Sequence, residues 1–285
     1  MRQSYPNTEI IVVVDSGSEE LASVLRKDLP SNVFVILSTG HGLSEARNTG
    51  VARATGDIIA QIDDDAVAAE TWIEKLVCNY QDSKVTAVGG RVDPIWPASK
   101  PKWVSERLYW IVGCSYTGTA QTRRAVRNVL GANMSYRKDI RILGLMRFRS
   151  ALGMNAAERW SMACDETDFF INLSRLIPGA QIILDPDAIV RHYVSKGKLS
   201  LSYFLRRAFS EGLSKAIISR DYGFASLTEE RNYVRGTFRE LLCHDRRKAT
   251  GFSNLIFELP RALVLAAVIC ATVLGFVIGH LRGYD

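Results

Sequence analysis

Residues 9–15 read Glu-Ile-Ile-Val-Val-Val-Asp, an unbroken β-branched run closed by an acid and followed by Ser16-Gly17-Ser18. A strand this uniformly apolar needs cover on both faces. A central strand of a parallel α/β sheet has that cover, whereas a half-exposed antiparallel strand alternates apolar and polar residues. The downstream spacing agrees. It predicts a helix over 19–27, a strand over 33–37, a glycine-bearing loop at 39–42 and a helix over 44–54 stopped by Gly56. A third strand over 57–62 ends in Asp63-Asp64-Asp65, and a helix over 69–79 follows. Strands alternating with helices at these intervals imply βαβ units with right-handed crossovers, hence an α/β fold with a mixed, mostly parallel sheet. Past residue 85 the pattern loosens. Strands are expected over 85–88, 129–136 and 181–184, the last stopped by Pro186, with helices over 165–176 and 203–219. Pro94, Pro97 and Pro101 with Trp96, Trp103 and Trp110 mark a connection, and no internal repeat occurs.

The mean hydropathy of +0.01 hides an uneven chain. Residues 191–248 carry a net charge of +7 while all 285 residues sum to +6. The basic character is therefore local and not the general signature of a nucleic-acid binder. Residues 262–279 are apolar and uncharged, just long enough to cross a bilayer at about 1.5 Å per residue. A buried core helix would share that composition. The position after a basic segment, between Arg261 and Arg282, favours a membrane-spanning helix. Arg246, Arg247 and Lys248 outweigh Arg282, which predicts a cytosolic catalytic region next to anionic headgroups. The expected organisation is a catalytic domain over 1–220, a basic juxtamembrane segment over 221–258 and a single-pass helix over 259–281. The cysteines, at 78, 114, 164, 243 and 270, are odd in number with no C-x-x-C pair, which argues for a reducing compartment and against structural zinc or a disulfide framework. The opening Met-Arg-Gln-Ser-Tyr-Pro has no apolar core of a signal peptide, consistent with that placement.

In open α/β sheets ligands sit beyond the carboxyl ends of the strands. Asp15 closes the first strand, and Asp63, Asp64 and Asp65 close the third. Asp63 and Asp65, separated by one residue, suit a shared Mg²⁺ or Mn²⁺ ion, which prefers oxygen ligands and keeps positions open for phosphate oxygens. A solvated acidic turn is the plainer reading of such a pair. Arg47 and Asn48 lie in the helix after the glycine loop, where a guanidinium can hold a phosphate or a base edge bidentately. Asp165, Glu166 and Asp168 crowd a helix start, as capping residues or as a general base beside a bound substrate. His192 follows Asp-Pro-Asp-Ala-Ile-Val-Arg and offers an imidazole for a metal or a phosphate.

Four phrases carry a resemblance: EIIVVVDSGS, GLSEARNTGVARATGDIIAQIDDDA, DETDFFINL and DPDAIVRH. In order and spacing they resemble the family 2 inverting glycosyltransferases of the GT-A fold over residues 5–215. WVSER, IVGCSY, RNVLGANMSYRK and EGLSKA are further similar to the archaeal dolichyl-phosphate-linked sugar transferases, glucosyl-dolichyl phosphate glucuronosyltransferases among them. The resemblance implies that Asp15 contacts the nucleobase and that Arg47 helps bind the nucleotide. Asp63 would face the ribose, Asp64 would join the nucleotide-sugar contacts, and Asp65 would coordinate the cation on the diphosphate. His192 would complete the metal shell, and Arg206 and Arg207 would hold the leaving diphosphate. Glu166 stands where the family has its catalytic Asp, and Asp165 beside it remains open as the base. Ser16 replaces a family Asp, and the family has a further central strand ahead of the segment that begins this sequence.

The implied activity is that of a hexosyltransferase using Mn²⁺ or Mg²⁺. It would move a sugar from a nucleotide-sugar, UDP-linked and with UDP-glucuronate as the narrower expectation, to a lipid-linked or glycan acceptor. The setting would be the cytosolic membrane face, in glycoprotein or surface-polysaccharide assembly. One displacement with inversion needs no Ser/Cys–His nucleophile pair, and none is visible. A metal-dependent nucleotidyltransferase would use similar carboxylates but tends to carry a glycine-rich phosphate loop near the first strand, which this sequence lacks. A non-catalytic, membrane-bound nucleotide-sugar-binding protein is the third reading.

Overall fold

The β-branched run forms strand β1 (Ile10–Val14), followed by helix α1 (Glu19–Leu25) and strand β2 (Val33–Leu37) in a computed structural model that describes residues 3–119, 121–139, 146–154, 162, 164–247 and 252–282. β1 and β2 pair in parallel, from Ile10 opposite Val33 to Val14 opposite Leu37. Then come helix α2 (Leu43–Arg53), strands β3 (Ile58–Ile62) and β4 (Ala66–Ala68), and helix α3 (Trp72–Cys78). The remaining strands and helices are β5 (Val85–Ile95), β6 (Arg124–Ala125), β7 (Asn133–Arg137), α4 (Asp165–Leu176), β8 (Gln181–Tyr193), α5 (Leu201–Tyr222), α6 (Thr228–Arg247) and α7 (Phe252–Arg282). The second sheet runs β3-β7-β5-β8-β4, with β6 on β8. β7 is antiparallel to both β3 and β5, so the protein is mixed α/β, as the alternating pattern predicts.

Two compact units divide the chain: residues 1–91 with 120–190, and residues 92–119 with 191–285. The first unit contains both sheets apart from the C-terminal ends of β5 and β8, and it buries two apolar clusters. One gathers Phe148, Phe169 and Phe170 with Met134, Tyr136 and Leu173, and the other gathers Trp72, Leu76 and Tyr80 with Val85, Val88 and Val190. Phe148 and Phe169 stack with ring centroids 4.4 Å apart, at the short limit of aromatic pair distances.

Several boundaries differ from the sequence expectation for identifiable reasons. β8 does not stop at Pro186 but runs on to Tyr193. The Asp185 carboxylate accepts the Asp187 N–H at 3.0 Å and the Asn79 side-chain amide at 2.7 Å, so the strand passes the proline, which has no N–H of its own, on side-chain hydrogen bonds. β7 begins at Asn133 and not at Val129, because the Asn133 N–H closes a turn onto the Leu130 carbonyl at 3.0 Å. β5 extends well past Val88, to Ile95. The further central strand implied by the family is not among the described residues. There β1 pairs only with β2 and β3 only with β7, and Ile10, Val12 and Ile62 are exposed. Lys248 lies outside the described residues.

The chain enters β1 through a clamp. The Glu9 carboxylate accepts the Thr55 hydroxyl at 2.7 Å and the Gly56 N–H at 2.9 Å, and also the Thr55 N–H, which ties the start of β1 to the turn between α2 and β3. Burial alone would raise the Glu9 carboxyl. These donors, helped by the Arg53 charge, outweigh burial and hold it below its ordinary 4.5. A lowered folded-state value means that the stabilisation is present above pH 4.5 and is lost as pH falls through the folded-state value. Glu9→Gln is expected to cost about 1 kcal/mol near neutral pH and to approach the wild type in acid. Urea unfolding of both proteins at neutral and acid pH checks this, and an equal penalty at both would refute it.

Candidate active site

α2 brings the first part of the site together. Its N-cap is Gly42, whose φ of +88° is the left-handed backbone that glycine adopts without strain. The Gly42 N–H donates to Asp15 Oδ1 at 3.1 Å, so the acid closing β1 sits on the helix N-terminus, where the peptide dipoles favour negative charge. Asp15 remains about half exposed. His41 lies 3.4 Å from its second oxygen, and Ser16 is 2.9 Å from His41 Nδ1. Ser16, which replaces a family Asp, thus holds a neighbour of Asp15. A cleft of about 220 Å³ opens here, lined by His41, Gly42, Ser44, Ser150, Gly153 and Met154.

One turn further along α2, Arg47 points inward and is only 9% exposed. Its Nη1 donates to both oxygens of Asp165, at 2.9 and 2.8 Å, and its Nη2 lies 3.5 Å from Asp63 Oδ1. Ser44, three residues earlier on the same helix face, donates to Asp165 Oδ2 at 2.9 Å. The guanidinium also rests over the Phe148 ring, 5.5 Å from its centroid. Burial by itself would lower the Arg47 pKa. The carboxylates of Asp165 and Asp63, with Glu166 behind them, outweigh burial and raise it. Asn48 exchanges two hydrogen bonds with the Phe148 backbone, at 2.8 and 2.9 Å, and so ties α2 to the segment around residue 148.

Asp165 and Glu166 open α4, where three acids meet the positive end of the helix. Their surroundings differ. Asp165 is 2% exposed, is held by Arg47 and Ser44, and accepts the Glu166 N–H at 3.0 Å. Glu166 is half-buried. Asp168, the third acid, is buried and bonded to Arg149. Asp63, Asp64 and Asp65 form the turn that carries the chain from β3, at one end of the sheet path, to β4 at the other. Asp63 and Asp65 are half-buried and Asp64 is exposed. Carboxylate oxygens on a strand-end turn are the donor chemistry of a hard divalent cation, so the residues present fit Mg²⁺ or Mn²⁺.

The remaining residues of the sequence expectation belong to the second unit. His192 is buried near the end of β8, with Cys114 Sγ 3.6 Å from its Nδ1. Arg206 and Arg207 lie on α5, where Arg206 is exposed and Arg207 bonds to Glu211 at 3.2 Å. Ser44 and His41 escaped the sequence reading. The i, i+3 spacing of Ser44 and Arg47 on one helix face was the available signal for Ser44.

Residues 1–142 match the description Glycosyl transferase family 2. These residues are a glycosyltransferase family 2 domain. The fold is accordingly GT-A-like, and the chain is a transferase. It is 28% identical over 284 residues to a Haloferax volcanii protein named glucosyl-dolichyl phosphate glucuronosyltransferase, a match covering 99% of this chain and 89% of the relative. It is 26% identical to the succinoglycan biosynthesis protein ExoM of Rhizobium meliloti, over 71% of this chain and 62% of that one. A solved structure described as GalNAc-T7 with UDP, GalNAc and Mn²⁺ aligns with a TM-score of 0.48 and 14% identity, over 80% of this chain and 48% of that one.

Removing one partner of a buried ion pair strands the other charge away from water. Asp165→Asn is therefore expected to destabilise the first unit by about 3–5 kcal/mol. The double variant Arg47→Met/Asp165→Leu, which removes both charges, is expected to recover most of that loss. Thermal unfolding of the three proteins measures the difference. A double variant no more stable than the single one would refute the pairing energetics.

Proposed function

We propose that this glycosyltransferase carries out one inverting displacement, moving a sugar from a UDP-linked donor to a lipid-linked acceptor at the membrane. The observation that carries the reading is the fixed Asp165. Arg47 and Ser44 occupy both of its oxygens, which supports Glu166, the half-buried neighbour on the same helix start, as the general base. Asp165 then acts as a positioning residue that anchors the N-terminus of α4. Glu166 takes the proton from the acceptor hydroxyl, that oxygen bonds to the anomeric carbon, and the bond to the nucleoside diphosphate breaks on the opposite face. Asp15, on the N-terminus of α2 and beside the open cleft, is proposed to contact the base, Asp63 to face the ribose and Asp64 to join the nucleotide-sugar contacts. Asp65 is proposed to hold the divalent cation, with His192 as a further donor. Such a cation, when bound, neutralises charge on the departing diphosphate. Arg206 and Arg207 are proposed to hold that diphosphate.

The Haloferax volcanii relative supports the substrate classes, because its similarity extends over nearly the whole of both chains. By that route UDP-glucuronate is the proposed donor and a dolichyl-phosphate-linked sugar the proposed acceptor, in glycoprotein or surface-polysaccharide assembly. The basic residues around 246–248 and the apolar segment Pro260–Arg282 support work at the cytosolic membrane face.

Release of free UDP from UDP-glucuronate, dependent on glucosyl-dolichyl phosphate and Mn²⁺ or Mg²⁺, is the expected reaction. Pyrophosphate release, or no turnover with any UDP-sugar, would overturn the reading. Glu166→Gln should lower kcat by roughly 10²–10⁴-fold with little change in donor KM. Asp65→Ala should abolish metal-dependent UDP binding in calorimetry, and undiminished binding would sink the metal assignment.

A further inference from the structure

Helix α7 is apolar all round in sequence, yet its surroundings are one-sided. Residues 262–279 hold no charged side chain. One stripe, Leu265, Val268, Ile269, Gly275 and Gly279, is buried. The opposite stripe, Leu263, Cys270, Val273, Val277 and Leu281, is exposed and wholly apolar. Spacings of three, four and seven residues keep these side chains on one helix face.

The buried stripe meets α5 at backbone distance. A Cβ added to Gly212 would lie 2.0 Å from the Thr272 carbonyl oxygen, and one added to Gly275 would lie 2.1 Å from the Phe209 carbonyl oxygen. Glycine on both sides is what lets the helices approach so closely. Further along, Ser219 Oγ and His280 Nε2 are 3.0 Å apart. Residues 209–219 of α5 therefore run beside residues 272–280 of α7. That stretch of α5 is ionic on its other side. Lys215 bonds to Glu211 at 3.3 Å and to Glu230 of α6 at 2.9 Å, and Glu211 also bonds to Arg207.

A helix crossing a bilayer passes through about 30 Å of hydrocarbon. If α7 crossed as a lone span, either the glycine seam would have to part or α5 would be drawn into hydrocarbon with Glu211 and Lys215. Both alternatives are costly. We infer that α7 lies in the plane of an anionic lipid leaflet, with its exposed apolar stripe at the headgroup–acyl boundary and α5 on the water side. This rests on the reading that the chain works at a membrane, and it differs from the single-pass helix expected from sequence. The net charge of +7 over residues 191–248, with Arg261 and Arg282 at the ends of the stripe, complements anionic headgroups.

Cys270 sits in the middle of Pro260–Arg282 on the exposed stripe, which makes it a depth gauge. The full chain carrying Cys78→Ser and Cys243→Ser would be labelled at Cys270 with bimane and reconstituted with phosphatidylglycerol-containing vesicles. Quenching would be compared between lipids carrying a spin label high and low on the acyl chain. The expected result is at least about twofold stronger quenching by the shallow label, together with on the order of tenfold weaker vesicle binding by Val273→Glu/Val277→Glu. Stronger quenching by the deep label puts Cys270 at the bilayer centre and overturns the inference while leaving membrane attachment standing. A protein that does not float with vesicles, or that covers the stripe by dimerising in solution, overturns both.

Discussion

Arg47 is an arginine almost out of contact with water, and three elements meet on it. Its own helix, α2, supplies Ser44 beside it, α4 supplies Asp165, and the turn after β3 supplies Asp63. Withdrawing two opposite charges from water is expensive, and their attraction repays that only with good geometry and further hydrogen bonds. Here the fork of one guanidinium nitrogen on both Asp165 oxygens, the Ser44 hydroxyl and the Phe148 ring supply those conditions. An apolar cluster of the same volume would tolerate small slips of one element past another. A hydrogen-bonded ion pair does not, because its energy depends on direction as well as distance.

The same pair separates two neighbouring acids. Asp165 has its acceptor positions filled by Arg47, Ser44 and the backbone N–H of Glu166, whereas Glu166 is half-buried at the head of the helix. Adjacent carboxylates placed in different surroundings can take different work, one structural and one chemical. Asp15 shows the other extreme. It also rests on a helix N-terminus, but it is open to solvent and next to a cleft.

The second unit repeats the theme of charge buried under control. Lys215 is largely enclosed, and it is tolerated because Glu211 and Glu230 both bond to it. On the opposite side of α5 glycine backbones make the close contact with α7, and the Ser219–His280 hydrogen bond lies further along the same seam. One helix therefore faces an ion network on one side and the uncharged stretch 262–279 of α7 on the other. This asymmetry gives α7 a buried stripe and an exposed one.

Much of the first unit was legible in residue order. β1, β2, β3, α1 and α4 lie within a residue or two of where apolar periodicity and helix-start acids put them, because those signals are local. Pro186 does not end the strand, since Asp185 beside it is held by Asn79, distant in sequence and adjacent only in the fold. The identities of Asp15, Arg47, Asp63 and Asp165 were likewise visible in sequence. What they do to one another was not. That Arg47 grips Asp165 follows from a contact spanning 118 residues. Composition made residues 262–279 of α7 apolar on every face. Only packing decided which face is covered, because a helix of uniform hydropathy carries no directional signal until a neighbour with glycine in the right place closes on it.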